Sequence, residues 1–183
     1  MATIEPIKLA LGSDHELRIR CAVPDDATAV LESARATIRE VPEQNVTELD
    51  EFRYTEDEER ELLQKYVDEP GWLFLVAVVD QKIVGQLNFR NGNRRRIAHG
   101  GSFGISITHP WRGQGIGTRL IRTLLDWARS GELIRRIELG ALSTNTRAVA
   151  LYGRLGFVEE GRRRRAFRVG DRYVDDVIMA RWV

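Results

Sequence analysis

The segment at residues 101–120 constrains the fold more than any other part of this sequence. It begins as an alternating apolar strand in which Phe103, Ile105 and Ile107 share one parity. The strand ends at a His-Pro pair, and the chain then becomes glycine-rich in the run RGQGIG at residues 112–117. Apolar residues at helical spacings of three and four follow at once. The sequence therefore predicts a strand, a turn (residues 112–117, called the glycine turn below) and the start of a helix.

A glycine turn that opens a helix is suited to binding anions. The first N–H groups of a helix have no partner within it, and the helix dipole adds partial positive charge there. Glycine lets an oxygen atom approach the main chain without a Cβ in the way. A lone G-x-G pair is more often only a tight turn, so the spacing of the whole run decides between the possibilities.

The spacing in this run excludes two nucleotide-binding motifs. A dinucleotide fingerprint needs G-x-G-x-x-G with an acidic residue about 20 residues further on, and a Walker loop needs G-x-x-x-x-G-K-[ST]. This chain has G-x-G-x-G from Gly113 to Gly117, and it lacks both of those patterns. The pattern [RQ]-x-x-G-x-[GA] is matched throughout from Arg112 to Gly117. In this respect the glycine turn resembles the pyrophosphate-binding loop of the GCN5-related N-acetyltransferases.

Composition indicates one soluble domain, residues 1–183 with a core at about 17–182. The 183 residues are 43% hydrophobic and 30% charged, as in globular proteins, and the net charge of +1 favours neither nucleic acid nor a membrane as a partner. The longest apolar run, residues 72–79, is too short to cross a bilayer. A single cysteine suits a reducing cytosol, and three scattered histidines show no metal-ligand spacing. We therefore expect a cytoplasmic protein without a metal.

Periodicity predicts the element order β-α-α-β-β-β-α-β-α-β-β. Residues 1–16 read as a polar lead-in, and the first predicted strand covers residues 17–21. A capping box formed by Thr55 and Glu58 predicts the start of the second helix. The arginines at 162–165 should alternate between the two faces of a strand, which does not favour a continuous nucleic-acid patch. This order predicts one α/β domain with a mixed sheet.

A second block strengthens the resemblance to the acetyltransferases. Residues 145–157 read NTRAVALYGRLGF and are similar to the family block N-x-x-[AS]-x-x-x-Y-x-x-x-G-F. The end of the chain resembles the branch that holds spermidine, ribosomal-protein N-terminal and small-amine or amino-acid acetyltransferases. The resemblance spans nearly the whole chain and implies a GNAT-like fold, with a mixed central β-sheet flanked by about four helices. It also implies transfer of acetyl from acetyl-CoA to a primary amine of a small molecule or a protein N-terminus.

The resemblance places an acetyl-CoA site along the central strand and the glycine turn. Backbone groups of the strand would pair with the pantetheine arm as an extra strand does, and amides of the turn would hold the pyrophosphate. The guanidinium of Arg112 could pair with a phosphate oxygen, and Asn145 could cap a helix, contact CoA, or do both. The implied binding residues are Ile105, Ser106, Ile107, Arg112, Gly113, Gln114, Gly115, Ile116, Gly117, Thr118, Asn145 and Tyr152.

Tyr152 is the predicted acid that protonates the departing CoA thiolate. It lies seven residues after Asn145, so the two side chains share one helix face. A tyrosine at the border of the core often serves packing alone, and the family block favours the catalytic interpretation here. A phenol with an ordinary pKa of about 10 is protonated at neutral pH and can therefore give up a proton to sulfur.

The general base is the part of the site that the sequence leaves open. The resemblance implies a glutamate just before the central strand, where this chain has Ser102. His99 is a candidate base because imidazole often works near neutral pH, and a solvated loop histidine is an equal alternative. Glu40 and Glu43 are candidates for attracting a cationic amine, or are simply solvated. The missing glutamate keeps a non-catalytic acyl-CoA-binding or sensing module open as a second function, and a homodimer is also compatible with the sequence.

Overall fold

Eight strands form one sheet in the structure, a computed structural model that describes residues 4–12 and 14–183. The strands are β1 (Ile7–Leu11), β2 (His15–Cys21), β3 (Trp72–Val79), β4 (Lys82–Asn91), β5 (Gly100–Ile107), β6 (Arg136–Leu142), β7 (Val158–Val169) and β8 (Arg172–Trp182). The helices are α1 (Ala27–Glu40), α2 (Glu56–Asp68), α3 (Ile116–Ser130) and α4 (Thr146–Arg154). These elements confirm the predicted mixed sheet with about four helices.

The strand order is β1-β2-β3-β4-β5-β6-β8-β7. Among the described residues, β5 and β6 form the one parallel pair, and every other neighbouring pair is antiparallel. Pairing between β5 and β6 covers three residue pairs and ends where Ser102 faces Glu138. Because β5 continues to Ile107 and β6 to Leu142, the two strands part beyond this point and leave one edge of β5 without a strand neighbour.

The helices cover the sheet on both faces. Alternate residues of β3 show this, because Leu73 and Leu75 join the core cluster that contains residues of α3 and α4. Phe74 and Val76 point the other way and pack in a second cluster with residues of α1 and α2. The end of α1 and the start of α4 therefore lie on opposite sides of the sheet.

The start of α2 is fixed by the predicted capping box. The Thr55 hydroxyl accepts the Glu58 N–H at 3.3 Å, and the Glu58 carboxylate accepts the Thr55 N–H at 2.8 Å. Two otherwise unpaired donors at the helix start are satisfied in this way. Below the cap, Leu63 and Tyr66 of α2 are buried against the sheet.

Replacing Thr55 by alanine should destabilise the protein by about 1 kcal/mol, the usual cost of losing an N-cap. Urea unfolding of Thr55→Ala and Thr55→Ser measures this change, because serine keeps the hydroxyl that accepts the Glu58 N–H. Thr55→Ser should unfold at nearly the wild-type urea concentration. Equal losses in both variants would show that the cap hydrogen bond is not the cause.

Two sequence predictions about the strands are wrong. Residues 7–11 form β1 rather than an irregular lead-in, since Ile7 and Leu11 pack on the core and the strand pairs in register with β2. Residues 1–3 and 13 of that predicted lead-in lie outside the described residues. The alternation expected at 162–165 is broken by an irregularity in β7 between Arg163 and Phe167, where Arg165 has a φ of 54°. There the Arg165 N–H donates to Asp175, and Arg163 pairs with the buried Asp176.

Candidate active site

A cavity of about 690 Å³ lies at the unpaired edge of β5. One wall comes from the end of α1 and the turn after it, which cover one face of the sheet. The opposite wall comes from the glycine turn, the start of α3 and one side of α4, which lie on the other face. Residues 105–107 of β5 run between the two walls. The cavity is thus open to both faces at the place where two strands part.

The glycine turn has the backbone geometry of an anion cradle. Gly113 and Gly115 both have a φ of 81°, in the left-handed region that favours glycine. Left-handed residues alternating with ordinary ones turn successive N–H groups into one concavity. A Cβ built on Gly115 would meet no atom within 4 Å, so the space beside this residue, at the N-cap of α3, is open. The turn therefore has the backbone geometry and the open space needed to bind an anionic group such as a phosphate.

Arg112 does not point freely into the cavity. Its Nε donates to the Ile107 carbonyl at 2.7 Å, and its Nη2 lies 3.7 Å from the Glu40 carboxylate. The same Glu40 oxygen accepts the His109 N–H at 2.7 Å. Phosphate pairing by Arg112 stays a prediction, and the contacts in place hold its guanidinium against the protein.

Tyr152 lies in the wall formed by α4, and 7% of its surface is exposed. Its ring packs edge-on against Phe103 and Phe157, with centroid distances of 5.9 and 6.2 Å. Among the described residues no side chain forms a hydrogen bond with its hydroxyl, and burial raises the pKa of Tyr152 to about 12. The phenol is therefore protonated throughout the range in which a thiol of ordinary pKa, about 8.5, ionises.

The structure brings most of the predicted acetyl-CoA residues to one place. Asn145 caps α4, its Oδ1 accepting the Ala148 N–H at 3.2 Å, and it also lines the cavity, so its two predicted roles are compatible. Gln114 does not line the cavity; its side-chain amide donates to the Pro110 carbonyl at 3.0 Å. The other predicted residues in the cavity wall are Ile105, Ser106, Ile107, Arg112, Gly113, Gly115, Ile116, Gly117, Thr118 and Tyr152.

The candidate base and the candidate acceptor-binding carboxylates do not line this cavity. His99 precedes β5 at the end opposite to residues 105–107, and its ring stacks on Trp182 at a centroid distance of 6.1 Å. Glu43 is exposed in the turn after α1, and Glu40 is engaged by His109. The catalytic role of His99 and the acceptor-binding roles of both glutamates stay predictions, and the geometry does not bring these groups to Tyr152.

Sequence reasoning missed two groups of cavity residues. Thr37, near the end of α1, forms one wall together with Gln44 and Asn45 of the turn that follows the helix. The stretch after α1 has no periodicity that would mark it as a site. Arg147 and Arg154 line the α4 side, and the Arg147 Nη2 lies 3.2 Å from the position of a Cβ on Gly113. In the family block, Arg147 precedes Tyr152 and Arg154 follows it. Their position in this block is the signal that could have identified them.

Within the described part of the chain, no three His, Cys, Asp or Glu side chains group as metal ligands would. In the same residues no helix has the length and apolar character needed to cross a membrane.

Comparison with known proteins identifies the family. The model of the acetyltransferase (GNAT) family matches residues 38–157, which include α2, the central strands, the glycine turn and α4. The chain belongs to this family. It is an N-acetyltransferase, and acetyl-CoA is its acetyl donor.

Individual GNAT relatives agree in sequence and in fold. The L-amino acid N-acetyltransferase AaaT of Escherichia coli is 34% identical over 119 residues, which are 64% of this chain and 73% of the relative. A GNAT acetyltransferase from Streptococcus pneumoniae superposes with a TM-score of 0.84 at 28% identity, covering 91% of this chain and 99% of that one. Spermidine N-acetyltransferase from Vibrio cholerae, solved with CoA and spermine, superposes with a TM-score of 0.72 at 25% identity. This superposition covers 91% of this chain and 95% of that one. Protein N-terminal acetyltransferases are also matched, so the predicted branch is confirmed.

Proposed function

We propose that this GNAT enzyme transfers acetyl directly from acetyl-CoA to a primary amine of a small molecule or a protein N-terminus, with Tyr152 as the acid. The observation that carries the proposal is a single cavity with the glycine turn in one wall, Tyr152 in the same wall and the unpaired edge of β5 between its two sides. No nucleophilic side chain is required, because positioning of two substrates supplies most of the acceleration of such a reaction.

Each part of the cavity has a distinct task in this proposal. Amides of the glycine turn bind the pyrophosphate, and Arg147 and Arg154 add positive charge near it. Backbone groups of residues 105–107 bind the pantetheine arm as a strand neighbour would. Bound acetyl-CoA supplies an activated thioester. The acceptor, after its ammonium has lost a proton to water, attacks the thioester carbonyl carbon, and the C–S bond breaks as the C–N bond forms. The Tyr152 hydroxyl protonates the leaving sulfur. The phenolate then regains a proton from solvent, which takes up the proton that the attacking nitrogen releases.

The charge of the cavity favours acceptors with one amine over polyamines. Its charged lining residues, within the described chain, are Arg112, Arg147 and Arg154, and no Asp or Glu is among them. The wall on the α1 side presents Thr37, Gln44 and Asn45, which are polar and uncharged. A polycation would find no compensating carboxylate in this cavity. We therefore favour an amino acid, a small monoamine or a peptide N-terminus as the acceptor.

The test is release of CoA in the presence of an amine panel. Amino acids, monoamines and peptides with free N-termini should be acetylated with kcat/KM at least tenfold above that for spermidine. A preference for spermidine would contradict the acceptor assignment and leave acetyl transfer intact. Failure to consume acetyl-CoA with every amine, despite CoA binding, would instead favour a non-catalytic acyl-CoA-binding module.

The compartment and the assembly belong to the same proposal. We place the enzyme in the cytoplasm, which the single cysteine of the chain favours, since reducing compartments do not maintain disulfides. Its net charge of +1 favours no nucleic-acid partner. A homodimer stays a prediction, and size-exclusion chromatography with light scattering tests it.

A further inference from the structure

We propose that Glu40 is a positioning residue that joins the end of α1 to the glycine turn, rather than a group that binds the acceptor amine. Its carboxylate accepts the His109 N–H at 2.7 Å and lies 3.7 Å from the Arg112 guanidinium. Glu40 and His109 are 69 positions apart in the sequence. The inference rests on the proposed role of the glycine turn in binding acetyl-CoA.

The contact connects the two walls of the cavity. Glu40 is the last residue of α1, and Thr37 and Val41 on either side of it line the wall on the α1 side. His109 and Arg112, its partners, line the wall that leads into the glycine turn. Glu40 itself contributes no surface to the cavity. Its carboxylate therefore acts on the distance and orientation between the walls, and not on a bound molecule directly.

Arg112 extends this link to the central strand. Its Nε donates to the Ile107 carbonyl at 2.7 Å, so the first residue of the glycine turn is fastened to the last residue of β5. Glu40 holds the same guanidinium from the other side and also holds the main chain three residues earlier. The pair of Glu40 and Arg112 thus holds three elements together: the end of α1, the end of β5 and the start of the glycine turn.

The surroundings of Glu40 argue against an acceptor-binding role. The carboxylate oxygen that accepts the main-chain N–H of His109 also faces the Arg112 guanidinium. This oxygen is therefore already engaged by an amide and a cation. About 30% of the Glu40 side chain is exposed, and 22% of Arg112. A charge-assisted hydrogen bond to a main-chain amide is sensitive to the exact position of the oxygen, whereas attraction of an ammonium several ångströms away requires the charge and changes little when the oxygen moves slightly.

Two substitutions distinguish the effect of the length of the Glu40 side chain from the effect of its charge. Glu40→Gln removes the charge and keeps an oxygen at the same distance along the side chain, so it can still accept the His109 N–H. Glu40→Asp keeps the charge and shortens the side chain by one methylene, so its oxygen no longer reaches that N–H. Glu32→Gln is the matched control, because Glu32 is an exposed glutamate of the same helix.

Calorimetric titration of each variant with CoA measures the effect, with KM for the acceptor as the second measurement. Glu40→Asp should weaken CoA binding about tenfold, as expected when a charge-assisted hydrogen bond is lost, and Glu40→Gln less than threefold. Glu32→Gln should bind CoA like wild type. Melting curves confirm that each variant is folded before it is compared.

Two results would overturn the inference. If Glu40→Gln raises KM for the acceptor while Glu40→Asp does not, the charge matters and Glu40 binds the amine. If both variants bind CoA as tightly as wild type, the contact does not position the turn. Failure of the wild type to bind CoA would instead contradict the assignment of the cavity, which is a separate outcome.

Discussion

Gly115→Val should abolish measurable CoA binding, with a loss of affinity of at least about 100-fold. Gly115 is the N-cap of α3 with a φ of 81°, where a β-branched residue is strained. Its Cβ position faces open space, the same space that a phosphate needs to approach the N–H groups of the turn. Valine would therefore distort the cradle and fill it. Isothermal titration with CoA measures the loss.

Two further substitutions separate these causes and provide a control. Gly115→Ala adds the smallest side chain at the same φ, so it reports mainly the cost of the left-handed backbone, about 1–2 kcal/mol of stability. Gly131→Val lies at the other end of α3, where φ is −95° and a Cβ meets Trp127 at an ordinary 3.7 Å. It should bind CoA normally. Retained micromolar binding by Gly115→Val would contradict the assignment of the turn.

Tyr152→Phe should lower kcat by about 100-fold, within the usual range for loss of a general acid, and leave CoA affinity almost unchanged. The hydroxyl has no hydrogen-bond partner among the described side chains, so its removal should cost little stability. The phenylalanine ring keeps the edge-on contacts with Phe103 and Phe157. Steady-state kinetics and CoA titration together make the measurement. Tyr173→Phe, at an exposed position of β8, is the control and should be fully active.

The pH dependence of kcat gives an independent check on this acid. Burial raises the pKa of Tyr152 to about 12, and the acid works only while it is protonated. Activity that depends on this proton is therefore present below pH 12 and lost above it, so kcat should not fall between pH 8 and 10 on its account. An alkaline decline below pH 10 that disappears in Tyr152→Phe would show that the phenol ionises early. Equal kcat in the mutant and the wild type would remove the acid assignment.

Features set by neighbouring residues could be predicted from the sequence. The glycine turn, the capping box of Thr55 and the N-cap Asn145 depend on backbone geometry over a few residues, and all three are present as expected. The continuous apolar run of β3, which is buried on both faces, and the helical spacing of α3 are likewise local sequence patterns. Family motifs then linked these pieces into one site.

Features that depend on contacts between distant segments were not predictable. The carboxylate of Glu40 meets His109 only because α1 folds over the end of β5, and the sequence on either side of Glu40 gives no sign of it. Asn45 reaches the cavity wall from the short turn after α1. Its side-chain amide donates to the Val41 carbonyl and so helps to fix the shape of that turn. The irregularity in β7 accompanies two contacts with the neighbouring strand, in which Asp175 accepts the Arg165 N–H and Asp176 pairs with Arg163. No periodicity in the sequence indicates these contacts.

The early end of pairing between β5 and β6 also bears on aggregation. Exposed N–H and C=O groups on a strand usually invite another sheet to dock, and proteins protect the outer edges of their sheets for this reason. Here the unpaired groups lie inside the sheet, between two strands that are paired only as far as Ser102 and Glu138 and part beyond them. A single thin chain fits between those strands, whereas a strand that carries its own neighbours does not. The position of the opening therefore admits an extended small molecule and excludes a second folded sheet.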